Sequence, residues 1–124
     1  MIITNEQVER KNNLQLICED KEHWNYNAPH SFLLVKENEN DSLATEVVAS
    51  VHFQEGPVKE VGLNGFGDVD LLLMVKTRLQ AFQATEYACK ENAEALVSVQ
   101  EAITWLTSRT RNREARGVEG TSQI

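Results

Sequence analysis

The feature that most constrains this chain is a change of period at a run of glycines. Before Gly62, Gly65 and Gly67, apolar residues tend to alternate with polar ones; after them they recur at three- and four-residue intervals. Alternation suits a half-buried strand and the longer interval an amphipathic helix, so the chain is expected to be β first and α second. The fold class expected is α+β. An antiparallel β-meander over about 14–63, a two-helix hairpin over about 68–113 and a tail over 114–124 would share one domain, a reasonable size for 124 residues.

Within the β part, Leu14, Leu16 and Cys18 mark a short strand, and His30 to Lys36 a longer one. The turn-rich segment 37–42 then leads to a strand from Glu46 to Gln54. Gly56-Pro57 marks a tight turn, after which "PVKEVGL" supplies a further strand with Val58 and Glu60 opposite Lys59 and Val61. Residues 1–13 read as either a short helical turn or an unstructured start. Asp68 is placed as the N-cap of a helix over 69–83, whose stripe is Leu71, Val75, Leu79 and Phe82. A second helix over 90–113 has the stripe Leu96, Val99, Ile103 and Leu106. The short link between them makes a hairpin.

Charge narrows the function. The net charge of -7 and pI of about 4.9 argue against a DNA or RNA partner. Residues 1–104 hold 17 acidic and 8 basic side chains, whereas residues 105–124 hold 2 and 4. Arg109, Arg111, Arg113 and Arg116 thus form a local cationic cluster. It is either a solvated helix C-terminus favoured by the dipole or a discrete phosphate site. Phe82, at the end of the first helix, should come near Asn92, in the first turn of the second. The ring is either core or a stacking platform, and the amide either a cap or a hydrogen-bonding partner for a purine nucleoside.

The segment "GLNGFGDVD" has a glycine-rich look but no Lys-Ser/Thr follows, which excludes a nucleotide-hydrolysing P-loop. Phe66 lies between Gly65 and Gly67, and Lys76 falls among Leu72, Leu73, Val75 and Leu79, as a lysine snorkelling at an interface edge would. His23, His30 and His52 have no metal-ligand spacing with Cys18 and Cys89, which are expected to be free thiols of a cytoplasmic protein. The N-terminus does not resemble a signal peptide, and no apolar run suits a membrane span. No catalytic constellation is legible, and the chain reads as a binding protein with no cofactor, the alternative being an enzyme.

The segment "VHFQEGPVKEVGLNGFGDVDLLLMVKTRLQAFQ", followed by "CKENAEALVSVQEAITWLTSRTRNREARGVEGT", resembles the Thoeris anti-defence protein one family of phages and prophages. The hairpin is also similar to that of the phage anti-CBASS sponges. The resemblance implies a sponge that holds TIR-made cyclic ADP-ribose isomers without degrading them, in the cytoplasm of an infected or lysogenic host. The alternative is a hydrolase of cyclic ADP-ribose or cyclic nucleotides. The resemblance further implies a homo-oligomer, dimer or hexamer, with pockets between subunits. Phe82 and Asn92 would take the adenine-ribose part, and Arg109 and Arg113 the phosphates. Phe66 and Lys76 match a separate cyclic dinucleotide site of the related sponges, although the family aromatic there is Tyr and its spacing to the lysine is longer.

Overall fold

Residues 2–3, 13–38 and 40–124 are described by the computed structural model. They fall into two compact units, Met1–Gly56 with Leu63–Gly65 and Pro57–Gly62 with Phe66–Ile124. Most of residues 1–13 lies outside the described residues; Ile2–Ile3 within it is a strand, β1.

The first unit is an antiparallel sheet in the order β1-β2-β3-β4, with β2 at Leu14–Cys18, β3 at Ser31–Asn38 and β4 at Asp41–His52. Leu16 pairs with Leu34 and Cys18 with Phe32, so the alternation read from the sequence sets the register. Cys18 and Val35 are its buried apolar residues, and Phe32 meets Phe53 edge-to-face at 5.5 Å. Leu34 pairs with Ala49 but Val35 with Val47, leaving Val48 as the extra residue of a bulge. The bulge accounts for Val48 standing between Val47 and Ala49 without a partner of its own.

The strand expected from Glu46 actually starts at Asp41, and Asn38 pairs with Asp41. Polar side chains in 37–42 suggested a long turn, but an edge strand pairs through its backbone whatever side chains it carries. At the far end of β4, the Asn64-Gly65 element forms a clasp. Glu55 N–H donates to Asn64 Oδ1 (2.7 Å) while Asn64 Nδ2 donates to the Glu55 carbonyl (2.8 Å). A Cβ on Gly65 would stand 2.6 Å from the His52 and Phe53 carbonyl oxygens, so only glycine fits.

The second unit corrects the strand expected at Pro57–Leu63. Val58–Val61 is instead a one-turn helix, α1, with extended Pro57 before it and Gly62 after it at φ +80°. Four residues are too few to separate a period of two from one helical turn, and the Val58/Val61 spacing fits the latter.

Helices α2 (Asp68–Gln83) and α3 (Lys90–Ala115) pack as the expected hairpin. Gly67 rather than Asp68 is the N-cap of α2, its N–H donating to Asp70 Oδ2 at 2.8 Å. On α3 the anticipated stripe faces inward: Ile103 is buried, and Leu96, Val99 and Leu106 are half-buried. On α2 the stripe holds in part. Val69, Leu71, Leu72, Lys76, Leu79 and Gln83 are the less exposed positions, so Leu71 and Leu79 lie where expected, while Val75 and Phe82 are more exposed. Lys76 is half-buried among these residues, in line with a lysine snorkelling at the edge of the packing face.

Candidate functional site

Two clusters stand out on the hairpin, one at each end. At the α2–α3 link, the Gln83 side chain spans the turn. Cys89 N–H donates to its Oε1 at 2.9 Å, and its Nε2 donates to the Cys89 carbonyl at 3.0 Å. Cys89 caps α3 by accepting from the Asn92 N–H at its Sγ (3.4 Å). Because Cys89 does the capping, the Asn92 side-chain amide has no partner among the described residues. Phe82, one residue before Gln83, is 39% exposed, with the Arg78 guanidinium 5.5 Å from its ring centroid. This end therefore offers an aromatic face and a free amide on helices that Gln83 ties together.

The other end is organised by the α3 C-terminus. Val118 N–H returns to the Arg113 carbonyl and Gly117 N–H to the Glu114 carbonyl, both at 3.0 Å, with Gly117 at φ +74°. This is a Schellman stop, and it folds the tail back along the helix. Arg113 then grips the tail. Its Nε donates to Glu119 Oε2 (3.2 Å), and its Nη2 donates to the carbonyls of Val118 (2.9 Å) and Thr121 (3.2 Å). The tail also meets α1, where Lys59 N–H donates to the Gly120 carbonyl (2.8 Å) and Ser122 donates to Glu60.

Arg116 donates to the Asn112 side chain and to the Ile124 carbonyl. Arg109 has no partner among the described residues. It borders a cleft of about 390 Å³ that Trp105, Ser108, Asn112 and Arg116 also line, and a smaller one of about 250 Å³ shared with Thr110 and Glu119. Arg111 lies on a third cleft, with Gln100 and Thr107.

The residues singled out from the sequence are thus gathered in two groups. Phe82 and Asn92 share the link end; Arg109 and Arg113 share the tail end. Asn92 and Arg109 are 17 helical positions apart, or about 26 Å at a rise of 1.5 Å per residue. Phe66, 41% exposed, and half-buried Lys76 lie just before and within α2. Sequence reasoning missed Gln83, Glu119 and Trp105. Of these only Trp105 left a readable signal, since Trp105, Arg109, Asn112 and Arg116 recur at helical spacing. The exposed trio Asp20, Glu22 and His23 has ligand atoms within 4.8 Å of one another, a common arrangement of surface carboxylates.

Residues 46–111 match the family model for the Acb2/Tad1 hairpin domain. A curated protein named Thoeris anti-defense 1, from Bacillus phage SBSphiJ7, is 42% identical over an alignment covering 88% of this chain and 89% of its own length. The chain belongs to the Thoeris anti-defence family. A phage anti-defence role follows. In this family member, the matched region contains the link-end residues Phe82 and Asn92, together with Trp105 and Arg109. Arg113 and the tail it holds lie beyond the family-model match, within a chain that the phage relative covers almost throughout. No helix among the described residues is long and apolar enough to cross a membrane.

Proposed function

We propose that this Thoeris anti-defence protein is a sponge: it binds cyclic ADP-ribose isomers made by TIR enzymes and holds them unaltered, so that immunity is not triggered. The observation that carries the reading is the complementarity of the two hairpin ends. One carries the Phe82 ring and, at the start of the next helix, the free amide of Asn92; the other presents Arg109, whose guanidinium has no partner among the described residues. A ring, an amide and guanidinium groups are what a purine, a ribose and a pyrophosphate require.

Since about 26 Å of helix separates Asn92 from Arg109, one small ligand does not reach both within a chain. The pocket is therefore shared between copies, the link end of one meeting the arginine end of another. Leu73, Met74 and Val97, all exposed on the hairpin, supply apolar surface for such a homo-oligomer, a dimer or a trimer of dimers. Arg109 is the primary phosphate partner. Arg113 contributes by neutralising Glu119 and keeping the tail in place beside Arg109. Phe66 and Lys76 are assigned to a separate cyclic oligonucleotide site, supported by the exposure of the Phe66 ring.

The test is to incubate the protein with the TIR product, remove unbound ligand, denature the protein and analyse what is released. Unchanged ligand is expected. A chemically altered product would favour the hydrolase reading, and no release would remove the sponge.

A further inference from the structure

Among the described residues, Arg78 makes no hydrogen bond or ion pair. Its neighbours along the surface of α2 are Met74, Val75, Ala81 and Phe82, all uncharged, in a chain that carries 19 acidic side chains. What it meets instead is the Phe82 ring. The guanidinium carbon lies 5.5 Å from the ring centroid, within the range where a cation is attracted to an aromatic face.

Local structure explains the contact. A long side chain on a helix leans toward the N-terminus, so the Phe82 ring lies back over the turn that carries Arg78. The backbone here is already fixed. Thr85 donates to the Phe82 carbonyl from its N–H (3.1 Å) and its hydroxyl (2.7 Å), and the adjoining Gln83 side chain is tied to Cys89. The torsions of the ring are what remain free, since at 39% exposed it is not locked by a surrounding core. A guanidinium against one face restricts those torsions and leaves the opposite face for another flat group.

From this we infer that Arg78 is the positioning residue of the link end: it braces the Phe82 ring from one face so that the other receives the purine, and it does not itself bind the ligand's phosphates. The inference rests on Phe82 being a stacking platform and deepens that half of the proposed function. A ring correctly oriented in only a fraction of molecules weakens binding by that fraction, so bracing it raises affinity without any new contact to the ligand. Within the pocket shared between copies, Arg109 keeps the phosphate contact and Arg78 acts through the ring.

The probe is the TIR-made cyclic ADP-ribose isomer, titrated by calorimetry into variants of the full chain. Arg78→Ala should weaken it about three- to thirtyfold at an unchanged melting temperature. Arg78→Lys, still a cation, should recover part of the loss, whereas Arg78→Met, an unbranched stem without charge, should behave as the alanine variant. In a Phe82→Leu background, Arg78→Ala should cost less than about a further twofold, because no ring is left to position. The Arg78→Ala loss should persist in about 0.5 M salt, while the Arg109→Ala loss should shrink as a phosphate contact is screened. In the ligand-free protein, NMR should show the Arg78 Hδ protons shifted upfield by the ring, and that shift should vanish in Phe82→Leu.

Four results would overturn the inference: natural affinity in Arg78→Ala, natural affinity in Arg78→Met, an equal Arg78→Ala loss with and without the Phe82 ring, or no upfield shift in the free protein. The second would assign the effect to the stem, and the third to a separate contact with the ligand. Phe82→Leu tells the two readings apart. If it weakens binding while Arg78→Ala does not, the positioning role falls and the stacking platform survives; if Phe82→Leu binds normally, the stacking platform falls and takes the positioning role with it.

Discussion

Arg113 and Arg109 are four residues apart on one helix and have opposite assignments. Arg113 holds three carbonyls of the tail and the Glu119 carboxylate, although its bond to the Ile124 carbonyl is long at 3.5 Å. Arg113→Ala leaves those acceptors without their donor and should cost about 1–3 kcal/mol in denaturant unfolding, with faster hydrogen exchange at tail amides. Arg109→Ala breaks no bond among the described residues, so stability should change by less than about 0.5 kcal/mol while ligand affinity falls. Such a contrast is invisible in the sequence, where four arginines look alike; only the fold-back at Gly117 sorts them. Phe82 was similarly ambiguous, as a residue that closes an apolar stripe. Its outward position makes Phe82→Ala a binding defect with the fold retained, measurable as loss of retained ligand at an unchanged melting temperature.

At the scale of elements, the hairpin was nearly legible in full: helices expected over 69–83 and 90–113 are observed over 68–83 and 90–115. Long amphipathic runs average out local exceptions, which is why they read well. The one-turn α1 did not, because four residues hold no period, and β4 was read short because its first half is polar. On the face of α2, Leu71 and Leu79 serve as the spacing predicts, whereas Lys76 and Gln83 take the places of Val75 and Phe82. Gln83 does so through paired bonds to the Cys89 backbone across the link, a use that no helical spacing rule finds. Ile103 is the buried apolar residue of α3, and Ile103→Ala should destabilise the protein by about 2–4 kcal/mol in thermal or chemical unfolding. Gly117→Ala should cost about 1–2 kcal/mol, because φ of +74° is strained for any residue with a Cβ.

For the molecule as a whole, the sequence names the residues of the proposed site as a list and not as a layout. Aromatic, amide and arginine residues were identifiable from type and position, whereas their division between two ends of a hairpin depends on helix length. A pocket shared between copies requires a solution mass that is a multiple of 14.0 kDa, which light scattering measures directly; a monomer that still retains ligand would remove the shared pocket.

Helix α3 also sets what changes of length this protein can survive. Each inserted residue adds about 1.5 Å and also rotates everything beyond it by about 100°. Two residues added near Val99 would swing the arginine end to the wrong side of the rod while scarcely lengthening it. Seven would bring it back to within about 20° and move it outward by roughly 10 Å. Relatives with longer or shorter hairpins should therefore differ by whole pairs of turns, and insertion variants should recover their assembly at seven residues and lose it at two.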